Sequence, residues 1–368
     1  MAALKAPSVS ILFEERGLTA VQRSERGIVA LLLKDATARS FRVYTSDDIP
    51  ADGLTEANKK FILDALKGYT AAPRYIVVYV MAQAADMGKA YTDAKKALET
   101  ERFTYLAAPY AKTDGQTTGL ITWVKEQRAS DRLIKAVLPE VTGADSEGII
   151  NWSSTLKRKD ETLTPEQGTP RIAGLLAGTG ISVSATYAPL MDFTDVNRMS
   201  KEEQDAAIGA GKLIAIWDGE KVKLSRAVTS ATTTAPTKGD SFKKIRIVEM
   251  MDMMKSDIRK TAEDGYIGKY ANGYDNKVLL LTAINAYFRG LIADGVLSAA
   301  SCEIDTAAQR KYLDGLGKKV ILSDGTEKAL SECTDEEVRQ ANSGSHVFLR
   351  ATASILDAME DLELLVSI

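Results

Sequence analysis

The sequence is poor in the residues that most enzymes use for chemistry. Among 368 residues there is one histidine, His346, and there are two cysteines, Cys302 and Cys333. One imidazole, read here within a strand, leaves little room for a histidine-dependent triad and none for a histidine-rich metal site. Two cysteines without metal-type spacing make neither a disulfide framework nor a zinc site, so two ordinary thiols in a reducing compartment are expected. Long apolar runs are also missing. The first, residues 28–33, is too short for a leader core, and no stretch approaches membrane-spanning length. A cytosolic product without membrane contact is the expectation, and the Asn-Trp-Ser sequon at Asn151 is read as chance. Nor is there an excess of basic charge: 47 Lys and Arg stand against 50 Asp and Glu, a net charge of -3. Nucleic acid is therefore not expected as a main partner. The densest basic cluster, Lys157-Arg158-Lys159, runs at once into Asp160 and Glu161 and reads as a solvated loop.

Candidate chemical motifs fail on spacing. Gly174, Gly178 and Gly180 superficially resemble a phosphate loop, but no Lys-Ser/Thr follows and the dinucleotide fingerprint is not matched. A helix end and turn is the better reading. The acidic stretch 264–276 lacks the ligand offsets of a calcium loop. Met250, Met251, Met253 and Met254 fall at helical spacing and read as core rather than as a binding face. Tyr266, Tyr270 and Tyr274 lack the basic interleaving of a base-stacking platform. No catalytic, cofactor-binding or metal-binding residue is assigned, and no cofactor is expected.

What is present is an ordinary globular composition, 45% hydrophobic and 26% charged, in a chain long enough for two or three domains. Near the start, Val9, Ile11 and Phe13 alternate with Ser8 and Ser10, a strand signal. Charged and glycine-containing sequence follows at 14–17, so this strand must pair with something distant or with another chain. From about Arg74, strands (75–80, 104–107, 133–138) alternate with helices (91–102, 118–129), which implies a parallel α/β sheet. Residues 213–217 and 221–224 flank Asp218-Gly219 and read as a hairpin with a type I′ turn. The Thr/Ala/Pro stretch 229–239 is the best domain boundary. Beyond it, 242–260 reads as an amphipathic helix capped by Asp240 or Ser241. Its apolar stripe would be Ile247, Met251, Met254 and Ile258, with Glu249, Asp252, Ser256 and Arg259 opposite. A second helix, 276–294, is expected to bury Leu280, Ile284, Phe288 and Leu291 and to stop at Gly295.

The chain ends in two strand-like pieces. In one, Val347, Leu349, Ala351, Ala353 and Ile355 alternate with His346, Phe348, Arg350, Thr352 and Ser354. In the other, Leu362, Leu364, Val366 and Ile368 alternate with Glu363, Leu365 and Ser367. Residues 357–360 between them are helix-favouring or hinge-like. Chain ends normally fray, so an apolar strand at the very end must be held by something.

Three regions together resemble contractile tail sheath proteins, in the short form found in Gram-positive phages and phage-tail-like bacteriocins. They are Phe242-Lys243-Lys244-Ile245-Arg246-Ile247-Val248-Glu249 continuing to Tyr266-Ile267-Gly268-Lys269-Tyr270-Ala271-Asn272, the ending from Val347-Phe348-Leu349 to Asp361-Leu362, and the early Glu25-Arg26-Gly27-Ile28-Val29-Ala30. The resemblance implies a structural subunit that polymerises with itself as stacked hexameric rings around an inner tail tube protein. Such a sheath meets baseplate and terminator proteins at its ends and contracts to drive the tube through a target envelope. It would be assembled in the bacterial host cytoplasm and released in the tail of a virion or phage-tail-like particle.

The expected fold class is α/β plus α+β: a central α/β domain with a mixed or parallel sheet, and a C-terminal α+β domain completed by exchanged terminal strands. The expected divisions are an N-terminal exchange arm at 1–20 and a small segment, 21–74, packing on the middle domain. An outer α/β domain at 75–228, a linker at 229–239, an inner domain at 240–356 and a C-terminal exchange arm at 357–368 follow. Inter-subunit contacts would come from Val9, Ile11, Phe13, Leu362, Leu364, Val366 and Ile368. Val347, Leu349, Ala351 and Ala353 would form the accepting strand, and Lys255 and Arg259 would face the tube. The competing reading, a nucleotide- or cofactor-dependent cytosolic α/β enzyme, rests on the βα pattern and the glycines near Gly178. Fold pattern alone is weak evidence for function.

Overall fold

The computed structural model describes residue 21 and residues 27–83, 86–159, 161–317, 319–321 and 325–367. Val9, Ile11, Phe13 and Ile368, named above as arm contacts, lie outside the described residues. The chain divides into two compact units. The larger takes in the described residues of Arg23–Ser256, Asp294–Val296 and Ile355–Ile368, and the smaller those of Asp257–Ala293 and Leu297–Ser354.

The larger unit opens with β1 (Ile28–Asp35), β2 (Arg39–Val43), α1 (Glu56–Leu66), β3 (Tyr75–Ala82), α2 (Met87–Leu98), β4 (Tyr105–Ala107), α3 (Thr117–Ala129), β5 (Lys135–Pro139) and β6 (Ile149–Trp152). It continues with β7 (Leu156–Arg158), β8 (Glu161–Leu163), α4 (Pro165–Ala177), β9 (Asp195–Val196), α5 (Lys201–Gly209), β10 (Lys212–Leu213), β11 (Ala215–Trp217), β12 (Val222–Leu224) and the start of α6 (Ile245–Thr261). A seven-stranded sheet runs in the order β10-β6-β5-β4-β1-β3-β2. Every pairing in it is parallel except β2 with β3.

The apolar run at 28–33 explains the sheet. Val29, Leu31 and Leu33 point to one face, where Ile62, Ala65, Ile172 and Leu175 of α1 and α4 cover them. Ile28, Ala30 and Leu32 point to the other, under Tyr91, Leu98, Leu120 and Val124 of α2 and α3. A strand buried on both faces needs a continuous apolar sequence rather than an alternating one. Each such large aliphatic side chain contributes about 1.5–3 kcal/mol on burial. The segment 21–74, expected to pack beside the middle domain, instead supplies a central strand of its sheet.

Several local expectations change in the folded chain. The stretch 229–239 begins not as a loose linker but with buried Thr229, Ser230 and Ala231. The Ser230 amide donates to Ile149 O at 2.8 Å, and the Asp145 carboxylate accepts from the Thr232 and Thr233 amides at 2.7 and 3.0 Å. Arg158, read as solvated, places both terminal guanidinium nitrogens on the buried Asp64 carboxylate at 2.7 and 3.0 Å. The β11–β12 hairpin pairs Trp217 with Val222, so its loop is the longer 218–221 rather than a two-residue turn. Asp218 shapes that loop by accepting from the amides of Glu220 and Lys221. Asn151 is buried in β6, its amide bridging both backbone groups of Val141 at 2.8 and 2.9 Å.

The glycines that mimic a phosphate loop serve packing. A Cβ on Gly174 of α4 would stand 1.9 Å from Ala65 O of α1, and one on Gly178 2.1 Å from Ala71 O. The helices touch backbone to backbone there, which only glycine permits.

The smaller unit holds the rest of α6, then α7 (Tyr274–Ala293), β13 (Leu297–Ile304), α8 (Thr306–Gly315), the short pair β14 (Val320–Ile321) and β15 (Glu327–Lys328), α9 (Asp335–Gln340) and β16 (Leu349–Ile355). Helix α7 buries Ala283, Ile284, Tyr287, Phe288 and Leu291. A second small core joins Leu313, Val320, Cys333 and Val338. Buried Lys277 ties α7 to the chain before β16, its Nζ donating to Ser343 Oγ at 2.9 Å and Ala341 O at 3.3 Å. Burial pushes the Lys277 ammonium below its ordinary range. His346 lies not in a strand but in a turn before β16, with its ring against Tyr312 and Phe348.

The glycine geometry predicts a contrast. Gly174→Ala should cost about 1–3 kcal/mol or more in urea unfolding, because the clash is with backbone that cannot rotate away. Gly290→Ala, in α7 with nothing within 4 Å, should be neutral or gain up to about 1 kcal/mol from helix propensity. Equal effects at the two positions would refute this account.

Candidate assembly surface

Strands β13 and β16 form a two-stranded sheet. They run in opposite directions: Ser301 meets Thr352 at 3.1 Å, Glu303 pairs with Arg350 at 2.7 Å, and the Asp305 amide donates to Phe348 O at 2.9 Å. The side of β13 away from β16 is closed by Asn285 of α7. Its side-chain amide donates to Cys302 O at 2.9 Å and accepts from Cys302 N at 2.8 Å. Among the described residues no strand pairs with the far edge of β16. Because Phe348 turns its carbonyl toward β13, the alternation of a strand turns the backbone groups of Leu349, Ala351 and Ala353 to that open edge. Leu349 is half-buried, Ala351 and Ala353 are exposed, and Val347 lies just before the strand and is 43% exposed. A sheet of two strands is marginal in water, and an open edge is a template for another strand.

The tail after Ile355 belongs to the larger unit. Residues 356–367 form no strand, so the strand read at 362–368 is not made within the single chain. Leu362, Leu364, Leu365 and Val366 are 91%, 78%, 91% and 67% exposed. Four exposed large apolar side chains within five residues are unusual for a surface that stays in water. The residues before them are held. Asp357 pairs with Lys244, Asp361 with Arg226, and Glu360 accepts from Thr186 Oγ1 at 2.6 Å. Those partners lift the Lys244 ammonium and the Arg226 guanidinium above their ordinary ranges. The hinge read at 357–360 is therefore a tethered segment.

Helix α6 is pinned by a charge network inside the larger unit. Asp252, expected on the solvent face, is buried between Lys135 of β5 and Arg128 of α3, at 2.8 and 2.9 Å. Glu249 also reaches Lys135, at 2.9 Å, and Tyr105 donates to Glu249 at 2.6 Å. Burial works against the Asp252 charge, but Lys135 and Arg128 outweigh it and hold the carboxyl below the usual range. The helix buries Ile245, Ile247, Val248, Met250 and Met253, while Met251, Met254 and Ile258 are only half-buried. The predicted stripe is thus rotated, because the buried side accommodates ion pairs. Of the residues expected to face a tube, exposed Lys255 pairs with Asp131, and Arg259 with Glu263 at 2.8 Å.

A strand edge left unpaired among the described residues and an exposed apolar tail both invite contact with another chain. Two family models match the chain: the phage tail sheath protein central domain over residues 85–230, and the phage tail sheath C-terminal domain over 237–368. The two matches are separated by the Thr/Ala/Pro stretch, whereas the larger compact unit continues through Ser256. A tail sheath protein of Clostridium phage phiCD119 is 33% identical over 361 residues, 97% of this chain and 98% of that one. The sheath tail protein from Desulfitobacterium hafniense superposes with a TM-score of 0.68 at 18% identity, over 81% of this chain and 94% of that chain. The helical sheath of the anti-feeding prophage in its contracted state superposes with a TM-score of 0.70 at 13% identity, over 99% of each. At those identities the two superpositions speak to the fold. The chain belongs to the phage tail sheath family, and its role is that of a structural sheath subunit.

Asp252→Ala should destabilise the chain by about 3–5 kcal/mol, since it strands buried cations. The sign with pH follows from the lowered carboxyl. Its contribution is complete above the unfolded carboxyl value of about 4 and is lost as pH falls below that. The stability gap between wild type and Asp252→Asn, read from denaturant curves, should therefore shrink below about pH 4. A gap that stays constant into acid would contradict this.

Proposed function

We propose that this chain polymerises as stacked hexameric rings around an inner tube and contracts to drive that tube through a target envelope. In this reading the C-terminal tail of one subunit adds a strand to β16 of a neighbour. The observation that carries it is the edge of β16 at Leu349, Ala351 and Ala353, which no strand among the described residues pairs, together with the exposed apolar side chains of the tail. Leu362, Leu364, Val366 and Ile368 would supply the tail strand, and Val9, Ile11 and Phe13 a second one. Baseplate and terminator proteins would contact the sheath ends. Assembly would take place in the host cytoplasm, and the finished sheath would leave in a virion or phage-tail-like particle.

Deleting residues 362–368 should leave a folded, soluble chain that no longer forms tubes in negative-stain micrographs. Ile11→Asp with Phe13→Asp should have the same outcome, because charge would be buried in the shared sheet. Regular tubes from either variant would overturn the strand-addition reading.

We place the tube-facing surface on the exposed, charged side of α6, with Lys255 and Arg259 as its contacts. A sheath that must slide is better served by charges, which set register and screen with salt, than by a large apolar contact. Reversing both to Glu should weaken co-assembly with purified tubes, most clearly at low salt. Unchanged co-assembly would remove α6 as the tube-facing element.

A further inference from the structure

We propose that residues 356–361 form an ion-pair latch that keeps the tail from folding back onto β16 of its own chain. The proposal rests on the strand-addition reading and adds what keeps that addition between copies.

The competition is written into the sequence. Strand β16 ends at Ile355, and the alternating apolar piece 362–367 follows after six residues, 356–361, that include Asp357, Glu360 and Asp361. Two such pieces joined by a short segment can close on each other as a β-hairpin. A partner on the same chain also has the advantage of an effective concentration of about millimolar. A closed hairpin would cap the open edge of β16 and leave nothing for a neighbour.

In the structure the connecting segment is drawn away from that turn. Glu360 is its centre, with a side chain only 7% exposed and Thr186 Oγ1 on one carboxylate oxygen at 2.6 Å. Arg226 Nε and Lys244 Nζ each lie 3.6 Å from the other oxygen. Lys244 also holds Asp357, and Arg226 holds Asp361. Arg246 Nε donates to Leu356 O at 3.4 Å, and the Leu356 amide donates to Val296 O at 2.9 Å. The acidic side chains that would sit in the hairpin turn are thus committed to cations elsewhere in the larger unit. Turn and latch need the same residues in different conformations, so each excludes the other. Met359 adds no apolar burial to the latch, being fully exposed. Partly exposed ion pairs each shift an equilibrium by only about two- to fivefold, so the set holds jointly and yields to salt.

Hydrogen–deuterium exchange on the complete chain, kept dilute, reads the two conformations directly. In wild type, amides 362–367 should exchange at nearly the unprotected rate. Lys244→Glu with Arg226→Gln should slow those amides by about tenfold or more, independently of protein concentration, as the hairpin closes. Polymerisation should slow by about the same factor, since the accepting edge is then occupied. Lys244→Glu alone should show part of this effect, and adding Asp357→Lys should reverse it. Protection that grows with protein concentration would mean the released tail pairs between copies, and would overturn the proposal. Unchanged exchange would also overturn it. Failure of strand addition itself would show separately, as normal tubes from a chain lacking 362–368.

Discussion

Every residue of an extended strand carries a backbone donor and an acceptor that must find partners, and this chain meets that demand unevenly. For the interior strands of the larger unit it is met from within. Strand β1 lies between β3 and β4, and helices cover both faces of the sheet. In the smaller unit, β13 is completed on one side by β16 and on the other by the amide of Asn285. Strand β16 has no second neighbour among the described residues. An open edge is a liability in a protein that works alone and an asset in one that must be joined to others.

Ionic contacts do two different jobs in the molecule, separated by burial. Around Lys135, Arg128, Glu249 and Asp252 the charges are withdrawn from water, so removing one partner strands another at high cost. That network makes the first half of α6 a fixed part of the larger unit. Around Lys244 and Arg226 only Glu360 is withdrawn from water; the cations and Asp357 are about one-third exposed and Asp361 is 79% exposed. Contacts of that kind are weak singly and screened by salt. A fixed scaffold calls for the first kind and a releasable segment for the second.

Much of this was legible from residue order alone. The β-branched run at 75–80 and the helices after it announced a parallel sheet, because strand and helix periods differ and strands buried on both faces must be apolar throughout. The alternation from Leu349 onward marked β16, and the tail was visible as an apolar piece with no nearby partner. Membership of the tail sheath family rested on the order and combination of short segments at the ends of the chain. The mimicry of a phosphate loop by Gly174, Gly178 and Gly180 was already rejected on spacing, although not for the packing reason the structure supplies. The contribution of 28–33 as a central strand was less legible, since a short apolar run by itself does not say which sheet it joins.

What the sequence by itself determined is what depends on periodicity and composition: the alternation of strands and helices, the scarcity of histidine and cysteine, and an apolar tail. What only the tertiary structure decided depends on groups far apart in the chain. Asp252 shares its helix face with ordinary polar residues, and nothing local foretells Lys135 and Arg128 more than a hundred positions away. Lys244 meets Asp357 across 113 positions and Arg226 meets Asp361 across 135. Asn285 looks like any polar residue of α7 until β13 lies against it. Charge pairing and edge completion are set by distance in space, and distance in space is a property of the folded chain.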